Sequence, residues 1–304
     1  MIYLGMTESS FEVGIPYVMV LHDLLHRSHP EFPESFVHGS PVYYEYLYRH
    51  GTSNAVLILV DAEVTKQEVL KFYGPYGITA DRIRVLPFFP SPYLPSQVSE
   101  EEIERTRTKY GLPRRYLFYP ARCWAHKNHA RLFEALALLQ ARDHLEISLV
   151  LVGFDAGDPP PRGEIPLRTM RSLSRSCDLR NQVRYLGVVP DEDMAGLYAG
   201  ATALTIPVLL NATNVPVLEA WQLGCPVITS DLPCIREHVG DAALLVDPTS
   251  VESIADGIRR LWVDNPLRRV LAQRGHGRLE SCDRQHFSQR LSGIPEDAKS
   301  RVAQ

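Results

Sequence analysis

The sequence lacks any apolar run close to the ~20 residues that a membrane-spanning helix needs. Two apolar stretches, 55–60 and 147–152, have only the length of a strand. The amino terminus also lacks the basic region and the long apolar stretch of a signal peptide. We therefore expect a cytoplasmic protein, with at most a peripheral contact to the inner face of a membrane.

Cysteine is scarce, and the cysteines form no recognisable pairs. They are odd in number and widely spaced, without a zinc-type arrangement, and the histidines also lack metal-binding spacing. The five cysteines are Cys123, Cys177, Cys225, Cys234 and Cys282. We expect reduced thiols, most of them in the core, and no bound metal.

The chain has no excess of positive charge. Its formal net charge is -4 and its pI is near 6.3, so it has no general attraction for nucleic acid. Its 304 residues, 45% of them hydrophobic and 22% charged, are enough for two hydrophobic cores. These numbers favour a globular protein of two domains with no nucleic-acid partner.

Strand and helix patterns alternate from about residue 115 onward, interrupted by a polar Gly/Pro-rich insertion at 155–164. Alternation of this kind predicts a parallel sheet with helices on both faces. The predicted strands are 116–119, 147–152, 183–186, 202–206 and 227–229. The predicted helices are 130–139, 167–177, 191–199 and 216–223.

A proline-rich segment, 83–95, separates this part from the preceding one. Its prolines disfavour regular structure and predict an interdomain linker. We predict a first domain with its linker at 1–95 and a second domain at 96–304, which opens with a solvated helix at 99–109. The first part is shorter than the ~100–150 residues of a typical doubly wound domain. We therefore expect either a truncated chain or an unusually small first domain.

The most informative stretch is 203–231. Its apolar beginning predicts a buried strand, Pro216 suits the first turn of a helix, and Gly224 ends that helix before the next strand. A helix that begins at the carboxyl edge of a parallel sheet offers unpaired N–H groups and the positive end of its dipole to a ligand. The stretch therefore predicts an anionic ligand, and best a phosphate.

The motif Pro216-Val-Leu-Glu-Ala, followed by Leu223-Gly-Cys-Pro-Val-Ile, resembles the donor-site signature of the retaining glycosyltransferases of family 4. Further matches follow the family's order at 119–129, 183–187, 193–201 and 240–248. The resemblance implies the α/β GT-B architecture, in which two Rossmann-like, doubly wound domains face a crevice. It also implies an incomplete amino-terminal domain, because the family's early strands and its glycine-rich phosphate loop have no counterpart here.

The resemblance implies roles for residues at the crevice. Arg122 and Lys127 would grip the diphosphate of a nucleotide sugar; the alternative is a pair of exposed surface cations. Glu219 would accept hydrogen bonds from the ribose, in an apolar setting where an unpaired carboxylate is costly; the alternative is an exposed helical Glu. Leu186 and Gly153 end strands where the base would rest against the backbone, which does not separate uridine, guanosine and adenosine donors.

The turn before helix 216–223 departs from the family pattern. Asn211 stands where many members carry a Glu close to the transferred sugar, and an amide keeps hydrogen bonding but cannot act as a base. Thr213, Asn214 and Val215 replace the usual glycine-rich turn and would direct N–H groups at phosphate. Thr213 and Asn214 also suit a simple helix-capping role. The departure leaves the identity of the transferred sugar open.

Two features of the sequence allow both a functional and a structural explanation. His22 precedes Asp23 at the end of an apolar strand, and by resemblance it would contact the donor sugar or position the acceptor. A structural histidine at a strand end explains it equally well. A helical stripe of arginines would meet a lipid-phosphate acceptor or an anionic membrane, although a solvated basic face is the simpler explanation. The stripe consists of Arg168, Arg171 and Arg175.

The resemblance implies a metal-independent retaining glycosyltransferase that uses a nucleotide sugar, without a cofactor. Its acceptor would be a glycan or a lipid-linked glycan in bacterial surface polysaccharide assembly. An alternative is a catalytically inactive remnant that still binds nucleotide sugar, favoured by the missing amino-terminal loop and by Asn211. A nucleotide-sugar epimerase of the same architecture would need crevice carboxylates that the sequence does not identify.

Overall fold

The structure is a computed structural model that describes residues 1–36, 39–153, 163–210, 215–280, 282 and 284–302. The strands of this part of the chain are β1 (Ile2–Tyr3), β2 (Val18–Val20), β3 (Leu57–Val60), β4 (Ile83–Val85), β5 (Leu117–Pro120), β6 (Leu149–Val152), β7 (Val183–Tyr185), β8 (Ala203–Ile206), β9 (Val227–Ser230) and β10 (Leu244–Val246). The helices are α1 (Ser9–Glu12), α2 (Leu25–Ser28), α3 (Pro41–Asn54), α4 (Glu63–Tyr73), α5 (Glu100–Lys109), α6 (His129–Asp143), α7 (Leu167–Ser176), α8 (Asp191–Ala199), α9 (Val215–Gln222), α10 (Pro233–Val239), α11 (Val251–Val263), α12 (Asn265–Leu279) and α13 (Arg284–Val302).

The chain divides into two units. The first unit comprises Met1–Phe89 and Cys282–Gln304, and the second comprises Pro90–Ser281. The sequence placed the division between residues 95 and 96 and assigned 96–304 to one domain. The structure divides the chain a few residues earlier and assigns the carboxy-terminal segment, 282–304, to the first unit.

Helix α13 belongs to the first unit because it covers one face of that unit's sheet. The sheet is parallel with the order β1-β2-β3-β4, and successive side chains of a strand point to opposite faces. Ile294 of α13 packs with Val18, Leu57 and Leu59, whereas Met19 and Ile58 belong to the core on the other face. Apolar side chains of α13 therefore help to bury β2 and β3. The local sequence does not reveal this contact.

The predicted linker contains a strand at its beginning. Ile83–Val85 forms β4 and pairs with β3 in parallel, with Ile58 opposite Ile83. The expectation that 83–95 lacks regular structure is therefore wrong for its first three residues. The prolines begin at Pro87, so the residues before it keep the N–H groups that a ladder requires.

Helix α5 opens the structured part of the second unit, as the sequence predicts. Ser99 accepts a hydrogen bond from the Glu102 N–H, and the Glu102 carboxylate accepts one from the Ser99 N–H, which completes a capping box. The predicted strands and helices of this unit are also present, with ends that differ by a few residues. The predicted helix 191–199 has the same bounds as α8.

The second sheet is parallel and has the order β10-β9-β8-β5-β6-β7. From β5 the chain builds one side through β6 and β7, and it then returns to build the other side through β8, β9 and β10. The central strands β5, β6, β8 and β9 are apolar and almost completely buried, as expected for strands covered on both faces. The strand order therefore reverses between the neighbours β5 and β8.

Candidate functional site

The carboxyl ends of β5 and β8 form the edge at which the second sheet changes direction. The connections that follow these two strands diverge, and open α/β sheets bind ligands at such a point. Arg122 and Lys127 follow β5, and the connection after β8 leads into α9. The strand order therefore brings both predicted cations and the beginning of α9 to one edge of the sheet.

Asn128 holds the two connections together. Its backbone adopts the left-handed conformation with φ 60°, and its side chain is buried. Nδ2 donates hydrogen bonds to the carbonyls of Pro207, after β8, and Pro248, after β10, each at 2.8 Å. The loop after β5 is thereby fixed against the neighbouring loops of the same sheet edge.

Arg122 forms an ion pair with Glu164, whose side chain is buried while about half of the Arg122 side chain is exposed. The guanidinium also lies 5.3 Å from the centre of the Trp124 ring. The Ile165 N–H donates to the carbonyl of Cys123 at 2.7 Å, which holds the residues after the insertion against this loop. The predicted phosphate-binding cation therefore has a carboxylate partner within the chain.

Lys127 ends the short 3-10 turn Ala125–Lys127 and is half-buried. Its carbonyl accepts a hydrogen bond from the Tyr119 hydroxyl at 2.7 Å. The carbonyl of His126 accepts one from the Leu209 N–H at 2.8 Å. The backbone that carries Lys127 is thus anchored to β5 on one side and to the segment after β8 on the other.

His129, the first residue of α6, is buried directly behind this loop. Its ring stacks on Tyr119 with 4.9 Å between ring centres, and neither ring nitrogen has a hydrogen-bond partner among the described residues. Burial, with smaller contributions from the charges of Lys127 and His126, lowers the pKa of His129 to about 3. The imidazole is therefore neutral near pH 7.

Glu219 lies on α9 and is 5% exposed. Its Oε2 accepts a hydrogen bond from the Tyr198 hydroxyl at 2.6 Å. Its Oε1 accepts one from the Tyr93 hydroxyl at 3.2 Å and a shorter one from the Ser91 hydroxyl. Three protein hydroxyls therefore satisfy the carboxylate that the sequence predicts to bind ribose.

The two tyrosines on Glu219 are donors at neutral pH. Burial raises the pKa of Tyr198 well above its ordinary value, and the Glu219 charge raises it further. Burial and then the same charge raise the pKa of Tyr93 to about 12. Both hydroxyls therefore keep their protons, as hydrogen bonds to a carboxylate require.

Several other predicted site residues belong to the same unit. Asn211, Thr213 and Asn214 lie outside the described residues, and Val215 is the first residue of α9. Gly153 follows β6 with φ +99°, and a Cβ there would lie 3.4 Å from the Ala121 backbone. Glycine is therefore required by the protein's own backbone.

The base site stays a prediction. The Leu186 N–H donates to the carbonyl of Leu151 at 3.0 Å, which extends the pairing of β7 with β6 by one residue. The Gly153 N–H donates to the carbonyl of Gly187 at 2.9 Å. These bonds join the ends of β6 and β7, and any contact of Leu186 or Gly153 with a nucleotide base is untested.

His22 lies in the first unit, after β2. Its Nε2 is 3.0 Å from the Leu4 carbonyl oxygen, and its ring stacks on Phe88 with 6.0 Å between centres. Asp23 accepts a hydrogen bond from the Leu25 N–H at 2.9 Å at the beginning of α2. Both side chains therefore have structural contacts in this unit, and the functional role of His22 stays a prediction.

Among the described residues, no group of three or more His, Cys, Asp or Glu side chains is arranged to hold a metal ion. In the same part of the chain, no helix combines the length and apolar character needed to cross a membrane. The arginine stripe lies on α7 and is exposed, and its membrane contact stays a prediction. The stripe residues are Arg168, Arg171 and Arg175.

A family model described as glycosyl transferases group 1 matches residues 100–278, which is more than half of the chain. The chain belongs to the group 1 glycosyl transferases. The matched region contains the β5 loop, the β8 edge and α9, so the family resemblance and the strand reversal fall on the same part of the molecule.

Curated relatives of this group 1 protein act on different sugars. O-antigen chain mannosyltransferase B of Escherichia coli is 29% identical over 261 residues, which cover 85% of this chain and 64% of the relative. D-inositol 3-phosphate glycosyltransferase of Corynebacterium jeikeium is 28% identical over 226 residues, which cover 72% and 52%. Lipopolysaccharide glucosyltransferase WaaG of Escherichia coli K12 is 24% identical over 259 residues, which cover 83% and 62%. The chain thus spans less than two thirds of the length of each.

Solved structures show the fold of the group 1 protein. HepE of Anabaena in complex with UDP and glucose superimposes with a TM-score of 0.75 at 19% identity, covering 92% of this chain and 71% of that one. The WaaG structure gives a TM-score of 0.68 at 21% identity, with coverages of 91% and 74%. The predicted GT-B type of α/β fold, with Rossmann-like parallel sheets, is confirmed.

Sequence reasoning missed four partners of the predicted site residues. Tyr198 falls within a recognised motif, 193–201, but received no role. Ser91 and Tyr93 lie in the predicted linker, and Glu164 ends the polar insertion. None has a spacing that points to Glu219 or Arg122, so only the folded chain shows these contacts.

Proposed function

We propose that the chain transfers a sugar from a nucleoside-diphosphate sugar to a glycan or a lipid-linked glycan during surface polysaccharide assembly. Membership of the group 1 family supports a transferase. Relatives named for an O-antigen chain mannosyltransferase and a lipopolysaccharide glucosyltransferase support the polysaccharide setting. A similar fold that holds UDP and glucose supports a nucleotide-sugar donor.

The observation that carries the proposal is the meeting of two cations and the beginning of a helix at the β5–β8 edge. When the bond between the sugar C1 and the diphosphate oxygen breaks, negative charge builds on the leaving diphosphate. Arg122 and Lys127 would stabilise that charge, together with N–H groups of the first turn of α9. In this mechanism no divalent metal is needed for the leaving group.

We infer retention from the resemblance to family 4. The acceptor oxygen would bond to C1 on the face that the diphosphate leaves, and its proton would pass to the leaving phosphate. With that phosphate as the base, Asn211 need not supply one, which fits an amide at this position. We further propose that His22 faces the transferred sugar or the acceptor.

Glu219 would bind the ribose, and the base would rest near Gly153 and Leu186. A carboxylate that accepts two ribose hydroxyls fixes the nucleoside without reading the base, because the diol is common to uridine, guanosine and adenosine. Backbone groups at the ends of β6 and β7 would supply the remaining base contacts. The donor base is therefore a question for direct measurement.

The first test is calorimetric titration with UDP, GDP, ADP and their common sugar conjugates. We expect one nucleotide to bind selectively and Lys127→Ala and Arg122→Ala to weaken its binding by roughly tenfold or more, since each removes a charge-assisted contact to phosphate. Matched controls are Lys71→Ala, an exposed lysine of the first unit, and Arg142→Ala, an arginine ion-paired to Asp143 and Asp256. Absence of binding to every nucleotide would contradict the proposal.

A second candidate is a nucleotide-sugar binder without transferase activity. The observation in its favour is that Arg122 and Glu219 have partners within the protein itself. The two candidates differ in turnover: a transferase releases nucleoside diphosphate when an acceptor is added, with retention visible by NMR of the product anomer and with activity preserved in EDTA. Tight binding with no release in the presence of extracted polysaccharide acceptors would favour the silent binder.

A further inference from the structure

The carboxylate of Glu219 receives its hydrogen bonds in two different ways. Oε2 is held by Tyr198, which lies on α8 and is completely buried. Oε1 is held by Ser91 and Tyr93, which belong to the stretch that opens the second unit and turns between Ser91 and Leu94, and Tyr93 is 47% exposed. The partner of Oε2 is thus completely buried, whereas the partners of Oε1 are half-buried or exposed.

The stretch that carries Ser91 and Tyr93 is attached to the same helix at a second point. Gln222 of α9 donates from Nε2 to the carbonyls of Leu94 at 2.8 Å and Pro95 at 3.0 Å, and the Leu94 side chain is buried. These contacts place the two hydroxyls beside Glu219 without using its carboxylate. The backbone at Leu94 and Pro95 therefore stays attached to α9 even when the Ser91 and Tyr93 hydroxyls leave Oε1.

The two hydroxyls have the chemistry of a ribose diol. Each is a neutral O–H donor, and both converge on one carboxylate oxygen, whose two lone pairs could equally accept the hydroxyls of a diol. A buried carboxylate that lost these donors without replacement would pay a large desolvation cost. A ribose that approaches Oε1 would supply the replacement.

We propose that Ser91 and Tyr93 occupy the position of the ribose diol in the ligand-free chain and give it up to the nucleotide, whereas Tyr198 is a positioning residue that fixes Glu219 in both states. The inference rests on the proposed function, because it takes Glu219 as the ribose ligand. It assigns two residues that oppose nucleotide binding and one that assists it through Glu219. Nucleotide affinity is then set partly by this internal competition.

A purely structural role for these bonds predicts the opposite result. If Ser91 and Tyr93 served only to hold the stretch in place, their removal would disorder the neighbourhood of Glu219 and weaken nucleotide binding. Internal competition instead predicts that their removal strengthens binding. The sign of the change in affinity therefore separates the two explanations.

The experiment measures the affinity of the parent chain and its variants for the nucleoside diphosphate that the parent prefers and for the 2′,3′-dideoxy form of that nucleotide. The variants are Ser91→Ala, Tyr93→Phe, the double variant of these two, and Tyr198→Phe. Tyr110→Phe is the control, since its hydroxyl also donates to a carboxylate of the second unit, that of Asp193, at 2.5 Å. Melting temperatures without nucleotide report any loss of folding.

We expect Ser91→Ala and Tyr93→Phe to tighten binding roughly threefold to tenfold each, and Tyr198→Phe to weaken it by about tenfold, as one hydrogen bond to a charged group allows. Tyr110→Phe should change nothing. The dideoxy nucleotide should bind the parent weakly and should bind the Ser91 and Tyr93 variants no more tightly. The dependence on the diol is a signature that a structural defect would not produce.

The outcomes separate the inference from the proposed function. If the parent binds nucleotide through Lys127 and the Ser91 and Tyr93 variants bind it equally or more weakly, the inference is overturned and the function stands. Equal tightening for the dideoxy form would also overturn it. If the parent binds no nucleotide, both the function and the inference are overturned.

Discussion

The two units of the chain are both parallel α/β structures, yet they differ in how their strands are ordered. In the second unit the order reverses between β5 and β8, whereas β1-β2-β3-β4 of the first unit follow one another without a reversal in the described residues. A reversal creates a crevice into which two loops and a helix end project. The candidate charges gather at that reversal in the second unit, whereas the described contacts of His22, in the first unit, are with Leu4 and Phe88.

The units also differ in how completely they bury their apolar side chains. Ten of the fourteen large apolar side chains that are exposed in the described residues belong to the smaller first unit. That unit also has an apolar cavity of about 440 Å³ between β2 and α13, lined by residues such as Tyr17, Val56 and Ile294. The second unit therefore buries its large apolar side chains more completely than the first.

Acid should affect the units through one buried histidine in each. Burial lowers the pKa of His26, in the first unit, to about 4 and that of His129, in the second, to about 3. The folded state binds fewer protons than the unfolded state below pH 6.5, so stability is fully present above pH 6.5 and falls as the pH is lowered towards these values. At pH 4.5 the free energy of unfolding should be about 2 to 3 kcal/mol lower for each histidine than it is above pH 6.5.

The partners of the two histidines predict opposite effects of substitution. His129 has no hydrogen-bond partner among the described residues, so His129→Phe should stabilise the second unit, and by more at pH 4.5 than at pH 7.5. His26 has its Nε2 3.0 Å from the Tyr73 hydroxyl, so His26→Phe should destabilise the first unit at pH 7.5. Unfolding followed by tryptophan fluorescence reports the second unit alone, because all three tryptophans lie there, and unfolding followed by calorimetry reports both units. If His129→Phe and His26→Phe changed stability in the same direction, the predicted difference between the two histidines would be wrong.

Close packing in the second unit should make it intolerant of a single added methyl group. Gly275 of α12 lies against the buried Trp221 of α9, and a Cβ there would lie 2.1 Å from a Trp221 ring carbon. Gly275→Ala should therefore lower the free energy of unfolding by about 2 kcal/mol. The matched control is Gly277→Ala in the same helix, where the Cβ would meet nothing within 4 Å. That change should instead stabilise the helix, by roughly 0.5 to 1 kcal/mol.

Denaturation in urea with fluorescence detection checks both glycine variants. A Gly275→Ala protein as stable as the parent would mean that α9 and α12 can separate without cost. The close packing assigned to the second unit would then be wrong. A destabilising Gly277→Ala would show that the helix itself, rather than its contact with Trp221, limits stability.

Much of the fold could be predicted because it is encoded locally. The apolar runs that became β3 and β6 are buried on both faces, and the bounds of α8 follow from Pro190 and Gly200 at its ends. The position of α13 could not be predicted in this way. Its contact between Ile294 and Leu57 joins residues more than 200 positions apart, and no local pattern records such a pairing.

The candidate site likewise contains residues that the local sequence predicts and contacts that it does not. Arg122 and Lys127 could be found because residues that follow a parallel strand lie at the sheet edge. The bonds that pair the predicted site residues with other side chains join residues far apart in sequence. Arg122 pairs with Glu164 across the insertion, and Glu219 bonds to Ser91 across 128 positions. A sequence shows which side chains carry charge at an edge, but it does not show which of them are already paired when no ligand is present.

Helix caps should give the smallest difference between the units, because they depend on local sequence alone. Ser99 and Glu102 form a complete capping box on α5 in the second unit, whereas Ser40 caps α3 in the first unit with one bond, from the Tyr43 N–H at 3.2 Å. Ser99→Ala should cost about 1 kcal/mol and Ser40→Ala about half of that. Hydrogen exchange at the Glu102 and Tyr43 amides measures each helix end directly, and Ser176→Ala, which removes no cap, should leave both amides unchanged. If Ser40→Ala accelerated exchange more than Ser99→Ala, the first unit would depend more than the second on its local signals, and its weaker burial of apolar side chains would be the reason.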